Sequence, residues 1–184
     1  LTRRHGWTCD NVQSMEVVTA AGQVLRVSER EHADLFWALR GGGGNFGIVT
    51  TFEYRLHPVG PEVMCVFALH DGSDPEEMKR ALRFYQEYHK TAPNEVSTLL
   101  AFGKVPPSEH FPPRLHYKPF ILFGGLYAGS PEEGKRALQP LRDFSPAMID
   151  LSGIVPYVQA QQAFDEEFPD GLRYYWKSLN VTRF

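Results

Sequence analysis

Three glycines in the first third of the chain have the spacing of a phosphate-binding motif. Gly42, Gly44 and Gly47 match G-x-G-x-x-G, in which backbone amides approach phosphate oxygens, and Val49 extends the match to the glycine loop of kinases. Both motifs need a strand before the glycines. The dinucleotide motif also needs a helix after them, with its N-terminus facing the pyrophosphate. Here helix-forming residues come first and a β-branched run follows, so neither phosphate loop is predicted.

The glycine run itself keeps two interpretations. Gly41–Gly44 lies between an apolar segment with Phe36 and Trp37 and a second one with Phe46 and Ile48. Such a position indicates backbone that passes close to a neighbour, because glycine has no side chain to prevent it. The neighbour is either another element of the fold, packed tightly, or a bound cofactor. The residues alone favour neither.

The remaining reactive side chains form no metal or hydrolase motif. The seven histidines include no H-E-x-x-H sequence and no pair four residues apart, so each is interpreted as a surface or loop residue. No G-x-S-x-G sequence supports a serine hydrolase. An acidic cluster near the C-terminus is interpreted as a solvated loop; it consists of Asp165, Glu166, Glu167 and Asp170.

The aromatic run 173–182 is predicted to be a strand. In a strand, Tyr175 and Lys177 share one face, whereas Tyr174 and Trp176 share the other. On the open face of a sheet, Tyr175 and Lys177 are candidates for the substrate side of a site. The alternative is a core strand whose lysine extends its charged end to solvent.

The composition excludes several classes of protein. The net charge is -3 and no long basic run occurs, so a nucleic-acid surface is not expected. No apolar stretch approaches the roughly 20 residues of a membrane helix. The two cysteines, Cys9 and Cys65, form no C-x-x-C pattern and suit a reducing compartment, which favours the cytoplasm.

The first sixty residues predict a small sheet with one helix. Strands are expected at 14–20 and 23–28, joined by a hairpin turn at Ala21-Gly22, then a helix within 29–40 and a strand at 48–56. The segment His57–Pro61 contains two prolines and a glycine, which end regular structure. We therefore place a domain boundary after residue 60.

The rest of the chain predicts the order βαββαβ. Strands are expected at 63–70, 96–102, 120–127 and 147–151, and a short extra helix at 155–164. Asp74-Pro75 and Ser130-Pro131 each open a helix with an N-cap acceptor followed by proline. This order is the split-βαβ or ferredoxin-like arrangement, with both helices on one face of an antiparallel sheet and the other face free.

Three segments together resemble the berberine-bridge-enzyme-like flavoprotein oxidoreductases, FAD-linked oxidases of the vanillyl-alcohol-oxidase type. They are G-W-T-C-D-N-V at 6–12, E-V-V-T at 16–19 and D-L-F-W-A-L-R-G-G-G-G-N-F-G-I-V-T at 34–50. The sequence R-Y-Y-W-K-S at 173–178 is similar to a strand of the family's substrate domain, so the resemblance covers nearly the whole chain.

The resemblance implies an α+β fold in two parts. Residues 1–60 would be the second half of a PCMH-type FAD-binding domain, and residues 61–184 a ferredoxin-like substrate domain, incomplete at its C-terminus, whose sheet covers the flavin. Family members carry a glycine-rich pyrophosphate loop and a flavin-linking histidine and cysteine upstream, and an active-site tyrosine segment downstream. Cys9 is not interpreted as the flavin-linking cysteine. The chain alone is therefore expected to be inactive and to lack covalent flavin.

The resemblance also implies which residues line the cofactor, mostly through their backbone. The expected FAD-binding residues are Gly6, Thr8, Asp10, Asn11, Val12, Gly43, Gly44, Asn45, Gly47, Ile48 and Val49. The flavin would take a hydride from a C–H next to oxygen or nitrogen of a small-molecule substrate and pass electrons to molecular oxygen or another acceptor.

Two further expectations follow. The alternative function is a non-catalytic ferredoxin-like module that binds a metabolite or forms an oligomer. The strands before residue 60 are expected to leave sheet edges and apolar surface exposed, available to another chain and compatible with a homo-oligomer.

Overall fold

A computed structural model describes residues 1–165, 170–175 and 177–178, and its strands form two antiparallel sheets. The strands are β1 Val12–Val18, β2 Val24–Ser28, β3 Ile48–Tyr54, β4 Glu62–Asp71, β5 Val96–Lys104, β6 Pro119–Tyr127, β7 Ala147–Asp150 and β8 Gly153–Pro156. The helices are α1 Thr2–His5, α2 Ala33–Leu39, α3 Pro75–Thr91, α4 Pro131–Arg142 and α5 Tyr157–Gln161.

The first sheet has the strand order β2-β1-β3 and packs one face on α2. The predicted hairpin joins β1 to β2, with Gly22 at φ 75°. Phe36 on α2 is buried against Val17 and Val27, which alternate with polar residues along their strands. The hairpin, the helix and the third strand are as predicted. The chain before β1 contains α1 and a 3-10 helix at Thr8–Asn11.

Strand β3 leaves much of its apolar surface exposed, as the sequence predicts. Ile48 is 72% exposed and Phe52 50%, and Leu56, just beyond the strand, is 88% exposed. Both β2 and β3 are edge strands among the described residues, so each has one side without a hydrogen-bonded neighbour.

The second sheet has the order β5-β6-β4-β7, with β8 also paired to β4. Numbered within the βαββαβ unit, this order is 2-3-1-4, and every neighbouring pair is antiparallel. It is the sheet order of the predicted ferredoxin-like arrangement. Strand β6 contains Gly125 at φ 147°, where a Cβ would lie 2.3 Å from the Ser97 carbonyl oxygen.

Both long helices cover one face of this sheet. The Asp74 carboxylate accepts a hydrogen bond from the Glu76 amide at 2.9 Å, and Ser130 Oγ accepts one from the Glu133 amide at 3.4 Å. These are the N-caps that the sequence predicts. Buried residues of α3, α4, β4, β5 and β6 form the main core: Met64, Val66, Ala68, Ala81, Val96, Ile121, Phe123, Leu138 and Leu141.

The opposite face is only partly free. Leu69 and Leu122 on this face are buried under Val105 and Leu115 from the loop between β5 and β6. The chain therefore covers one end of the face itself. The other end, around Cys65 on β4, lies beside a mainly apolar cleft of about 450 Å³ between the sheet and residues within 151–164.

The helix predicted at 155–164 exists but is shorter, and the strand predicted at 173–182 is absent from the described residues of that range. Val155 lies in β8 rather than in a helix, because the free edge of β4 at Glu62–Cys65 pairs with this segment, and α5 begins only at Tyr157. The described residues within 173–178 form no strand. Strand propensity alone does not fix a strand without a hydrogen-bonding edge. Trp176 and 179–184 lie outside the described residues.

Residues before β1 contact the second sheet. Arg4 donates to the Ala128 carbonyl oxygen and lies 3.8 Å from a Glu95 carboxylate oxygen, and Arg3 donates to His89 Nδ1 at 2.8 Å. The domain boundary after residue 60 stays a prediction. None of the helices in the described part of the chain combines the length and apolarity needed to cross a membrane.

Candidate functional site

The turn before β1 is closed by its own side chains. The Asp10 carboxylate accepts a hydrogen bond from the Trp7 amide at 2.8 Å. Gly6 has φ 76°, and a Cβ there would lie 3.0 Å from Asp10 Oδ2. Thr8 is exposed, whereas Val12 is buried at the start of β1. Asp10 and Gly6 thus fix the shape of the turn and leave its outer surface to the backbone and Thr8.

The Asn11 amide connects three parts of the chain. Its Nδ2 donates to the carbonyl oxygens of His5 at 2.8 Å and Trp7 at 2.9 Å. His57 Nε2, beyond the end of β3, donates to Asn11 Oδ1 at 2.6 Å. The Asn11 amide therefore links the residues before β1 to the residue after β3, which is a structural role.

Arg40 joins this turn to the glycine run. Its Nε donates to the Cys9 carbonyl oxygen at 2.9 Å, and an Nη lies 3.5 Å from Asp10 Oδ1. The guanidinium also lies over the Phe36 ring, 5.3 Å from its centroid. A single arginine at the end of α2 thus fixes the position of the turn relative to the glycines that follow.

The glycines of the run have different roles. A Cβ on Gly42 would lie 2.4 Å from the Phe46 ring, and a Cβ on Gly47 2.5 Å from the Val18 carbonyl oxygen. Packing within the fold therefore requires glycine at both positions. Gly43 has φ 63°, which favours glycine whatever surrounds it.

Gly41 and Gly44 are not explained in this way. A Cβ on either would have no atom within 4 Å, and neither has a positive φ. The Asn45 amide donates to the Gly42 carbonyl oxygen at 2.8 Å and closes the loop over these residues. Nothing in the described structure demands glycine at 41 or 44, so backbone there is open to close approach from outside.

A cleft of about 420 Å³ lies between the turn and the glycine run. Its lining is mainly apolar and includes Cys9, Asp10, Trp37, Arg40, Gly41, Gly42 and Phe46. The Trp37 ring is 78% exposed beside it. Flat rings, open glycine backbone and one guanidinium suit a ligand with an aromatic ring system, and so they fit a flavin dinucleotide.

The predicted cofactor residues fall into two groups. Val12 pairs with Tyr54 at one end of β1, whereas Ile48 and Val49 pair with Val18 and Val17 at the other. For a seven-residue strand the two ends are roughly 20 Å apart. Ile48 is exposed, but Val49 packs against the core under α2. The structure therefore brings the turn to Gly41 and Gly42, and leaves Gly47, Ile48 and Val49 at a distance.

The helix comes before the glycines, as the sequence predicts. Residues Ala33–Leu39 form α2, a short 3-10 turn covers Gly43–Asn45, and β3 follows. The loop thus lies at the C-terminal end of α2, where the helix dipole disfavours a phosphate. The phosphate-loop interpretations have no support from this geometry.

The C-terminal candidates are not placed by a sheet. Tyr175 is 88% exposed and neither it nor Lys177 lies in a strand. Asp165 and Asp170 are exposed, whereas Glu166 and Glu167 lie outside the described residues. The described part of the chain contains no cluster of His, Cys, Asp or Glu able to hold a metal ion, and both cysteines are free thiols.

Three residues of the site were not predicted. The sequence places Arg40 directly before four glycines but does not show which residues its guanidinium contacts. The contact between His5 and His57 joins residues far apart in the sequence. His5 Nε2 is buried without a hydrogen-bond partner in the described structure. Burial lowers the pKa of His5, with His57 and Arg4 adding to it and Glu95 opposing it.

Comparison with known sequences finds FAD-linked oxidoreductases. One from Dictyostelium discoideum is 29% identical over 177 residues, covering 95% of this chain and 35% of that protein. Another, from Aspergillus terreus, is 34% identical over 164 residues, covering 89% of this chain and 31% of that protein. The chain thus spans about a third of the length of these relatives. No model of a protein family matches it.

Solved structures that are similar to this chain are also oxidases. A xylooligosaccharide oxidase from Myceliophthora thermophila, solved with xylobiose, has a TM-score of 0.68 and 26% identity, covering 89% of this chain and 32% of its own. A 6-hydroxy-D-nicotine oxidase from Arthrobacter nicotinovorans has a TM-score of 0.75 and 24% identity, covering 94% and 36%. The second supports the fold, and the first supports relationship as well.

Proposed function

The chain belongs to the FAD-linked oxidoreductases and spans about a third of the length of its relatives, and from this we propose that the whole protein is an FAD-dependent oxidoreductase. The observation that carries this is the cleft between the turn at Thr8–Asn11 and the glycine run, held together by Arg40. The same segments carry the family resemblance, and the cleft has the flat apolar lining and open backbone that a flavin dinucleotide needs.

Each residue of the cleft has a definite task in this proposal. Arg40 and Asp10 hold the turn in place, so the cleft exists before the cofactor arrives. Gly41 lines the cleft and admits close approach to its backbone, and Trp37 offers a ring face. When bound, FAD supplies the hydride acceptor for a substrate C–H next to oxygen or nitrogen. The protein positions the substrate and excludes water.

The remaining assignments stay proposals. Gly6, Thr8, Asn11 and Val12 would form one end of the cofactor wall. Gly47 and Val49 would support the other end, where Gly43, Asn45 and Ile48 are nearer the surface. The names of several relatives as oxidases support molecular oxygen as acceptor of the electrons and a small-molecule substrate. The 184-residue chain alone is proposed to be inactive, since it spans about a third of its relatives.

The relatives favour this function over a non-catalytic ferredoxin-like module, since the matched proteins are named as oxidoreductases over nearly the whole chain. The exposed apolar surface of β3 is compatible with a homo-oligomer, and the free cysteines with a cytoplasmic protein.

The test is flavin uptake by the protein expressed from its complete reading frame. We expect it to purify yellow, with FAD released on denaturation, and Gly41→Val to lower the FAD content because the new side chain extends into the cleft that Gly41 lines. Gly153→Val is the matched control, since a Cβ there also meets nothing within 4 Å but lies on β8. A colourless protein that takes up no FAD contradicts the function. Normal FAD content in Gly41→Val contradicts only the role of Gly41.

A further inference from the structure

His5 and His57 form a contact between two segments that are far apart in the sequence. His5 is the last residue of α1, and His57 follows the end of β3. Their imidazole rings are stacked face to face, with the ring centroids 3.9 Å apart. The two side chains thus form a junction between α1 and the chain that leaves the first sheet.

The junction also holds the turn before β1. His57 Nε2 donates a hydrogen bond to Asn11 Oδ1 at 2.6 Å, and Asn11 Nδ2 donates to the carbonyl oxygen of His5 at 2.8 Å. Asn11 is the last residue of the 3-10 helix Thr8–Asn11, which is the turn beside the candidate cofactor cleft. A displacement of the His57 ring relative to His5 would therefore be felt by the turn.

The two sides of the junction are attached to different parts of the fold. Arg3 on α1 donates to His89 Nδ1 at 2.8 Å and to the Ala92 carbonyl oxygen at 2.9 Å, at the end of α3 on the second sheet. The turn is attached instead to α2, because Arg40 Nε donates to the Cys9 carbonyl oxygen at 2.9 Å. If the rings separate, α1 stays with the second sheet and the turn stays with the first.

Protons on both rings would oppose the stack. A histidine in an unfolded chain takes up a proton near pH 6.5, and two positive charges this close repel each other. Arg4 and the amino group of Leu1 add positive charge on the side of α1, whereas Glu95, just before β5, is negative. Burial lowers the pKa of His5; His57, Arg4 and the Leu1 amino group lower it further, and Glu95 raises it. The stack is thus a contact between neutral rings.

We propose that His5, His57 and Asn11 form a proton-sensitive junction, in which stacked neutral rings hold the turn Thr8–Asn11 in place and protonated rings separate and release it. The turn and the glycine run line the same cleft, so the shape of that cleft would change with pH. The consequence for a bound flavin rests on the proposed function, whereas the movement of the turn does not.

The other attachment of the turn does not respond to pH in this range. The Arg40 guanidinium stays charged at any pH at which the protein is folded, so its hydrogen bond to the Cys9 carbonyl oxygen remains. Acid should therefore increase the mobility of the turn on the side of Asn11 and leave it attached on the side of α2. The expected change is a local opening, which hydrogen exchange of the backbone amides detects.

The test is hydrogen exchange of residues 7–12, followed by mass spectrometry on the protein expressed from its complete reading frame. Protection of these amides is compared at pH 7.5 and pH 5.5 after correction for the intrinsic effect of pH on exchange. We expect protection to be about tenfold lower at pH 5.5, because the repulsion between the charged rings favours the open turn.

Two variants remove the proton and each keeps part of the junction. His5→Phe keeps a flat ring against His57, and His57→Gln keeps a donor for Asn11, but neither new side chain takes up a proton. We expect both to reduce the difference in protection between the two pH values to less than about twofold, whatever its level at pH 7.5. His32→Asn is the control, since that histidine is exposed just before α2 and asparagine tolerates its positive φ of 50°.

Equal protection of residues 7–12 at the two pH values in the unchanged protein overturns the proposal. A difference that persists in His5→Phe or in His57→Gln also overturns it, as does its loss in His32→Asn, because the response would then not belong to the junction. The flavin content of the same preparations is a separate measurement. A protein without FAD contradicts the proposed function and leaves the exchange result standing.

Discussion

The imidazole rings of His5 and His57 are stacked, with centroids 3.9 Å apart and an interplanar angle of 20°. The pair joins α1, which contacts the second sheet, to the chain beyond β3, which belongs to the first. The Asn11 amide is bonded to the His5 carbonyl and to the His57 ring, so one side of the candidate cofactor cleft depends on this junction.

We expect acid to weaken the junction. The pKa of His5 is lowered, first by burial, then by His57, Arg4 and the amino group of Leu1, with Glu95 acting in the opposite sense. A depressed pKa means that His5 contributes its full stabilisation above about pH 6.5, the unfolded value, and that this is lost as pH falls through the folded pKa. Urea unfolding at pH 7.5 and pH 5.5 should show lower stability at pH 5.5, and His5→Gln should reduce that difference. An unchanged difference contradicts the prediction.

His70 gives a second, separate source of acid sensitivity. The interpretation of every histidine as a surface or loop residue is wrong for this one: its side chain is fully buried on β4. Its Nδ1 is hydrogen-bonded to Ser145 Oγ at 3.0 Å, and its ring makes edge contacts to Phe123 and Phe144. Burial lowers its pKa, and Nε2 has no partner in the described structure. Stability should again be complete above about pH 6.5 and fall below it.

The replacement His70→Leu tests this sign. Leucine cannot bind a proton, so stability between pH 7.5 and pH 5.5 should vary less than in the unchanged chain, as followed by urea unfolding. His32→Asn is the control, since that histidine is exposed just before α2 and asparagine tolerates its positive φ of 50°. The prediction fails if both variants keep the same dependence on pH.

Arg40 should contribute more to the stability of the fold than an exposed arginine does. Replacing it with methionine removes the donor to the Cys9 carbonyl and the contact to Asp10, and hydrogen bonds from charged groups contribute about 1.5–3 kcal/mol. We expect Arg40→Met to lower the free energy of unfolding by about that range, and Arg30→Met, at an exposed position without a side-chain ion pair among the described residues, by less than about 0.5 kcal/mol. Similar losses in the two variants contradict the prediction.

Replacement by alanine should lower the stability of the fold at Gly47 but hardly change it at Gly41. Gly47→Ala puts a Cβ 2.5 Å from the Val18 carbonyl oxygen at φ 146°, and strain of this kind costs about 1–3 kcal/mol. Gly41→Ala meets nothing within 4 Å and should alter stability by less than about 0.5 kcal/mol. Denaturant unfolding of both variants checks the contrast. It is contradicted if Gly41→Ala proves the more damaging of the two.

Local signals in the sequence predicted most of the fold. The proline after Asp74 and after Ser130 defined where α3 and α4 begin, and the order of strands and helices then left few sheet topologies. Both errors concern segments in which a strand forms only if a neighbouring strand offers a free edge, whatever the strand propensity of the residues. Val155 joined β4 because β4 had a free edge there, and the run after Arg173 found none among the described residues.

The candidate site was harder to predict than the fold. The sequence indicated that Asp10 and the glycine run matter, but not that Arg40 joins them, because that contact spans thirty residues. It also treated the glycines as one motif, whereas Gly42 and Gly47 are explained by packing and Gly41 and Gly44 are not. Only the coordinates distinguish a glycine that neighbouring atoms require from one whose missing side chain leaves open space.

One edge of β4 is occupied in two pieces, by β7 and then by β8, which are separated by Leu151 and Ser152. The wall of the apolar cleft begins at this break, and none of its residues from 151 to 164 belongs to a buried core cluster. Substitutions in that wall therefore cost the fold little. In evolutionary terms, the sequence of this segment is free to drift while the sheet beneath it, and the way it folds, stays the same.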